Sequence, residues 1–216
     1  MTFIPDKRYY YTEEELVKIF SYIKKRGKLQ HYALYKTVFL MGRRISEVVG
    51  YPKRGIIGLL VRDIDFTSGM ITFTLEKRGK WEFTDLPDGR KTKKLIKRDR
   101  GQFKAPVEVL DILGKLIQEQ KLNENDRVFP SSIRNYHKIF HRYLIKLGIL
   151  DKLRILHGLR HSFGFMGLKL SKSGSDIRQI QKALGHTRLS TTEEYFKFME
   201  VNEEEMMDKI RKRINI

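Results

Sequence analysis

The sequence predicts a mainly α-helical fold with one small antiparallel β-sheet. In several segments, apolar residues recur every three or four positions, which is the spacing of one helix face. One central stretch instead alternates apolar residues with threonines, which is the period of a half-buried strand. The 216-residue chain contains no low-complexity linker and no internal repeat. We therefore expect a single domain over residues 1–216.

Two helices are predicted ahead of the sheet. Thr12 and Glu15 have the spacing of a capping box, in which each side chain accepts from the backbone N–H of the other residue. They open an amphipathic helix that ends near Gly27. A second helical pattern runs over residues 31–49, so Arg44 is expected inside an otherwise apolar helix.

The predicted sheet is a hairpin, and the rest of the chain is helical. A β region covers residues 63–75, and basic and polar residues then continue to Lys104 around a turn at Pro87-Asp88-Gly89. Pro106 suits a helix start, and Ser131 or Ser132 can cap the next helix. Further helices are expected near residues 158–171, 175–184, 191–199 and 200–216.

The chain carries a large excess of positive charge. Lys and Arg number 44 against 26 Asp and Glu, which gives a formal net charge of +18. Because these cations are spread along the chain, we expect a folded basic surface that meets a polyanion, and not a basic tail.

The absence of cysteine excludes disulfides and thiolate metal sites and fits an intracellular protein. The sequence predicts no signal peptide and no run of about 18 apolar residues that would cross a membrane. We expect a cytoplasmic, nucleoid-associated protein. Abundant Lys and Glu without Cys also favour a thermophilic source.

Four separated fragments carry the candidate chemistry. They are Gly42-Arg43-Arg44-Ile45-Ser46-Glu47, His157-Gly158-Leu159-Arg160-His161, Leu184-Gly185-His186, and Tyr195. In this order and spacing they resemble the motifs of the tyrosine recombinase (phage integrase) family. The resemblance spans roughly Tyr11 to Met199 and corresponds to the C-terminal catalytic domain of that family, whose fold it implies.

The resemblance implies a role for each motif residue. Arg44, Arg160 and His186 match the residues that hold the scissile phosphate. His157 matches the group that assists proton transfer, and Tyr195 matches the nucleophile. The chemistry is consistent, because planar guanidinium groups meet the charge on phosphate oxygens with paired hydrogen bonds.

Residue spacing adds supporting groups to this set. Glu47 follows Arg44 by three positions, so on a helix it is expected to hold the guanidinium in place. His157 and Arg160 have the same spacing and share a helix face. His161 is a candidate for a supporting contact.

The family also uses a lysine in a β-turn as the general acid for the leaving 5′-oxygen. Lys77 is preferred here, because it follows the strand 71–75 directly. Lys80 lies further along the same turn. Lys97 also competes, because the residues around it resemble the hairpin pattern too.

Three features depart from the family pattern. Residues 51–61 contain a basic insertion, expected to be a tolerated surface loop, and residues 81–94 add length to the hairpin. The helical core-binding domain that precedes the catalytic domain in the family is missing from this sequence. The chain is therefore expected to be truncated, a fragment or a naturally minimal enzyme.

The resemblance implies a site-specific recombinase that works through a covalent 3′-phosphotyrosyl intermediate without metal, ATP or another cofactor. The expected partner is double-stranded DNA, on which monomers assemble as a tetramer. The helix at 200–216 either docks on a neighbouring protomer or folds back on its own domain. The alternatives are a type IB topoisomerase-like nicking-closing enzyme and a DNA-binding regulator that no longer cuts.

Overall fold

The computed structural model describes residues 9–85, 91–150, 155–170 and 174–184, which contain seven α-helices and one three-stranded antiparallel sheet. The helices are α1 Glu13–Arg26, α2 Leu29–Leu40, α3 Ile45–Val49, α4 Val107–Gln120, α5 Ile133–Lys146, α6 Ile155–Leu170 and α7 Gly174–Leu184. The strands are β1 Ile64–Asp65, β2 Met70–Asp85 and β3 Lys91–Lys104, in the order β1-β2-β3. The predicted fold class is confirmed.

The described residues fall into two compact units. Those up to Phe163 form the first unit, and those from Gly164 onward belong to the second. Within the second unit, Gly167 of α6 faces Ile180 of α7, where a Cβ would lie 3.2 Å from the isoleucine Cγ1. The prediction of a single domain over the whole chain stays a prediction. No helix among the described residues combines the length and apolarity needed to span a bilayer.

Helix α1 begins with the predicted capping box. The Thr12 hydroxyl accepts from the backbone N–H of Glu15 at 3.3 Å, and the Glu15 carboxylate accepts from the backbone N–H of Thr12 at 2.8 Å. Three glutamates in its first turn and three basic residues in its last complement the helix dipole. Its predicted apolar face is buried, namely Leu16, Ile19, Phe20 and Ile23.

The prediction of one continuous helix over residues 31–49 is wrong. Helix α2 ends at Leu40, a turn follows, and α3 starts at Ile45. Gly42 in this turn has a φ of 58°, which lies in the left-handed region and cannot continue a right-handed helix. Arg44 therefore lies in extended backbone immediately before α3, and not inside a helix.

The hairpin has the extra length that the sequence indicated. Strands β2 and β3 pair from Met70 opposite Lys104 to Asp85 opposite Lys91. The ladder is interrupted where residues 75–78 of β2 stand opposite the single residue Asp99 of β3. This bulge turns the strand locally, and it contains Lys77.

Helix α6 is fastened to the start of the chain by Tyr11. The Tyr11 backbone N–H donates to the Ser162 hydroxyl at 2.7 Å, and its phenol donates to the Ile155 carbonyl at 2.7 Å. Its ring also packs edge-on against Phe140 of α5, at 6.0 Å between centroids. The absence of a side chain at Gly158 makes room for the ring, since a Cβ there would lie 2.9 Å from it. These contacts fix the turn of α6 that carries the His-x-x-Arg motif.

We predict that Ser162→Ala lowers the free energy of unfolding by about 1–3 kcal/mol, because a buried N–H loses its acceptor. Urea unfolding followed by circular dichroism measures this loss. Ser21→Ala is the control, since Ser21 is exposed on α1 and its replacement should stay within about 0.5 kcal/mol. Equal stabilities for the two variants would contradict the anchoring role of Ser162.

Candidate active site

Arg44 and Glu47 form an ion pair at the start of α3. The Arg44 Nη1 donates to Glu47 Oε1 at 3.2 Å, and the Arg44 backbone N–H donates to Glu47 Oε2 at 3.2 Å. Glu47 is buried, with 1% of its surface exposed, whereas the Arg44 side chain keeps 14% exposure. The carboxylate therefore holds the guanidinium, as the spacing predicted, while the guanidinium still reaches solvent.

Glu47 also brings the hairpin bulge to Arg44. Its Oε1 accepts from the backbone N–H of Glu76 at 3.2 Å. The neighbouring Ser46 hydroxyl donates to the Glu76 carboxylate at 2.6 Å. Lys77, which is exposed, follows Glu76 directly and is thereby held next to this group of residues.

The two alternative lysines lie further along the hairpin. Lys80 and Lys97 are both exposed and stand opposite each other in the ladder beyond the bulge. Glu76 accepts from the Ser46 hydroxyl and donates its backbone N–H to Glu47, and its chain neighbour is Lys77. The structure thus associates Lys77 with Arg44 more directly than it does the other two.

Arg160 reaches the same turn from α6. It is buried, with 1% exposure, and its Nη1 donates to the Gly42 carbonyl at 2.6 Å. His157 lies one helical turn before Arg160 and is half-buried. Its ring meets His161 edge-on, with centroids 4.5 Å apart. The structure thus joins the first two motifs at the turn that precedes α3.

Arg43 is a buried cation that sequence reasoning missed. Only 1% of its surface is exposed, and its guanidinium lies 3.9 Å from the centroid of the Phe103 ring. Its Nε donates to the Met41 carbonyl at 3.0 Å, but its Nη2 has no hydrogen-bond partner among the described residues. Two adjacent arginines in a sequence do not reveal which one faces the interior.

The surroundings of Arg43 make the site strongly electropositive. Burial lowers the pKa of Arg43, the charge of Glu47 opposes this, and the charges of Arg160, Arg44 and Arg78 add to it, so that the pKa lies at about 10. The guanidinium groups of Arg43 and Arg44 therefore share the buried carboxylate of Glu47. Such an arrangement favours an anion with several acceptor oxygens, such as a phosphodiester.

His186 and Tyr195 lie outside the described residues, so their roles stay predictions. Among the residues that the structure does describe, no three His, Cys, Asp or Glu side chains are grouped so that they could hold a metal ion. Ser46 belongs to the first motif but received no role from the sequence, and Glu76 was not singled out at all. Their pairing joins positions 30 residues apart, which no local pattern signals.

Comparison with known proteins gives a family match over the part of the chain that contains the four motifs. Residues 10–200 match the family model described as the phage integrase family. The chain is 33% identical over 164 residues to the tyrosine recombinase XerC of Thermodesulfovibrio yellowstonii, which covers 76% of this chain and 48% of that protein. The chain spans about half the length of the curated relatives it matches.

Two solved structures share the fold. The crystal structure of XerA recombinase aligns with a TM-score of 0.65 at 22% identity, over 94% of this chain and 65% of that one. The Tn1549 transposon integrase, solved in complex with circular intermediate DNA, aligns with a TM-score of 0.63 at 16% identity, over 97% of this chain and 65% of that one.

We predict that Glu47→Gln lowers the free energy of unfolding by about 3 kcal/mol, because buried cations lose their counter-charge. The variant keeps the size of the side chain and one acceptor oxygen. Glu108→Gln is the control, since the Glu108 side chain is 50% exposed and its pair with Lys36 should contribute about 1 kcal/mol or less. Urea unfolding of the two variants, side by side, measures the difference. Similar losses would argue against Glu47 as the main counter-charge.

Proposed function

The chain belongs to the phage integrase family, and from this premise we propose that it cuts and rejoins DNA strands as a site-specific recombinase. The observation that best supports the proposal is the meeting of two motif arginines at one turn. Arg160 donates to the carbonyl of Gly42, two residues before Arg44. Two guanidinium groups placed in this way suit the non-bridging oxygens of a single phosphate.

The proposed reaction begins with the phenol of Tyr195. Its oxygen attacks the phosphorus of the scissile phosphodiester, the bond from phosphorus to the 5′-oxygen breaks, and a 3′-phosphotyrosyl ester forms. His157 takes the phenol proton, and Arg44, Arg160 and His186 hold the phosphate oxygens. The ester conserves the energy of the broken bond, so a 5′-hydroxyl from another strand can reverse the attack without ATP.

Lys77 is the proposed acid that protonates the leaving 5′-oxygen. A lysine ammonium can give a proton to the alkoxide as the bond from phosphorus to the 5′-oxygen breaks. The bulge frees Lys77 from the regular ladder, and the bond from Glu76 to Glu47 keeps its backbone beside the arginines.

The proposed partner is double-stranded DNA. The protein is proposed to be a monomer in solution and to assemble as a tetramer on two DNA duplexes. The net charge of +18 supports a polyanionic partner. The Tn1549 integrase, which shares the fold, was solved in complex with DNA. The proposed location is the cytoplasm, where the chain meets the nucleoid.

We predict that the native protein forms a covalent adduct with DNA and that Tyr195→Phe abolishes it, because the nucleophilic oxygen is gone. A pool of nicked duplexes, whose cut fragment diffuses away, is incubated at low salt without metal and resolved on denaturing gels. Tyr22→Phe on α1 is the control and should leave the adduct intact. An adduct that survives Tyr195→Phe would sink the assignment. Exchange of strands between two duplexes separates a recombinase from a nicking-closing enzyme.

We predict that Lys77→Ala slows cleavage by about 100-fold or more and that a sulfur leaving group restores it. In the rescue substrate, sulfur replaces the 5′-bridging oxygen, and a thiolate leaves without being protonated because thiols are far more acidic than alcohols. Lys80→Ala and Lys97→Ala are matched controls that should cleave the ordinary substrate within about tenfold of the native rate. Rescue seen with Lys80→Ala or Lys97→Ala, and not with Lys77→Ala, would reassign the acid.

A further inference from the structure

The insertion at 51–61 and the extra hairpin length at 81–94 each contribute to one of two segments that meet in space. The first is the brace, residues 51–56, where Pro52–Arg54 form a 3-10 turn. The second is the arm, the paired strand segments 79–85 and 91–98 beyond the bulge. Neither belongs to the proposed catalytic set, yet the structure joins them at the base of the arm.

Several contacts hold the brace against the arm. The Arg98 Nε donates to the Arg54 carbonyl at 3.0 Å. Gly55 has a φ of 66° and lies so close to Leu95 that a Cβ there would be 3.2 Å from the leucine Cδ2. Tyr51 and Ile56 close the brace with an antiparallel bridge. The arm is therefore supported from one side at its base.

This support has a physical consequence for the arm. A two-stranded ribbon without other packing is marginally stable in water. The brace supplies the missing packing, and Arg54 also pairs with Glu76 at 2.8 Å, beside the proposed active site. The direction in which the arm leaves the bulge is thus set relative to Arg44.

The surface of the arm and brace suits a nucleic acid. The arm carries six Lys or Arg against two Asp or Glu, and the brace carries two basic residues and no acidic one. Lys53, Lys80 and Lys97 are exposed. Phe83 is 67% exposed and Ile96 is 51% exposed, so apolar groups stand among the cations.

We infer that the arm and brace form a DNA-binding surface that grips the duplex beside the cleaved phosphate; this rests on the proposed function. The cations meet backbone phosphates, and the exposed apolar side chains meet sugars or thymine methyl groups. Seven strand residues extend about 20 Å, and a β-ribbon fits the major groove. The arm therefore adds contact over roughly six base pairs of flanking duplex.

The test measures binding of the full chain to a fluorescent mixed-sequence duplex of about 30 base pairs, over a range of salt concentrations. One variant shortens the arm by joining Trp81 to Leu95 through Asn-Gly, a favoured two-residue hairpin turn. A second variant, Lys53→Ala with Phe83→Ser, alters exposed side chains only. It still tests the inference if the shortened variant misfolds. Its matched control is Lys115→Ala with Val17→Ser, since Val17 is 66% exposed on α1.

We predict that shortening the arm weakens binding about tenfold or more and lowers the slope of log affinity against log salt by about 2. The double substitution should weaken binding about threefold and lower the slope by about 1, while its control stays near native. Affinities and slopes equal to native in both arm variants would overturn the inference. A change in self-association in place of DNA affinity, seen by sedimentation, would overturn it too.

Binding and cleavage fail independently in this design. If the arm variants lose DNA affinity but the native protein forms no covalent adduct, the DNA-binding role of the arm is supported and the proposed recombinase function is contradicted. If the native protein forms the adduct and the shortened variant binds DNA equally well, the recombinase function is supported and the DNA-binding role of the arm is contradicted.

Discussion

The carboxylate of Glu47 is the constraint on which the site depends. It is buried and accepts from the Arg44 side chain, from the Arg44 backbone and from the Glu76 backbone. One negative charge therefore fixes the start of α3, the orientation of a guanidinium and the position of the hairpin bulge. The start of α3 and the bulge, which are distant in sequence, converge because a buried carboxylate must satisfy its acceptor oxygens.

The cations around this carboxylate explain why the site is poised for an anion. Arg43 and Arg160 are each 1% exposed, and the Nη2 of Arg43 lacks a partner within the described structure. Burying a guanidinium with an unmet donor costs free energy that packing elsewhere must offset. A bound phosphate would add negative charge where the protein supplies little. The buried cations thus lower the stability of the fold and create a preorganised positive electrostatic potential, as is usual at sites that stabilise developing negative charge.

Features that depend on neighbours in sequence were largely predicted, whereas contacts between residues distant in sequence were not. The capping box of Thr12 and Glu15 and the alternation in the hairpin rest on neighbours in sequence, so both were predicted correctly. The turn at Gly42 was missed, because apolar residues continue on both sides of it and periodicity does not report a positive φ. Burial of Arg43 and the contacts of Glu76 depend on which surfaces pack together, and one sequence does not contain that information.

Glu76 ties the arm to the proposed acid. Its carboxylate accepts from Ser46 and Arg54, its N–H donates to Glu47, and its carbonyl accepts from Arg98. Burial raises the pKa of Glu76, but the hydrogen bonds from Ser46 and Arg54 outweigh it, so the pKa lies below its usual range. These contacts therefore contribute stability above the ordinary glutamate pKa and lose it as the pH falls through the lowered value. Because Lys77 follows Glu76 directly, the base of the arm and the position of Lys77 cannot vary independently.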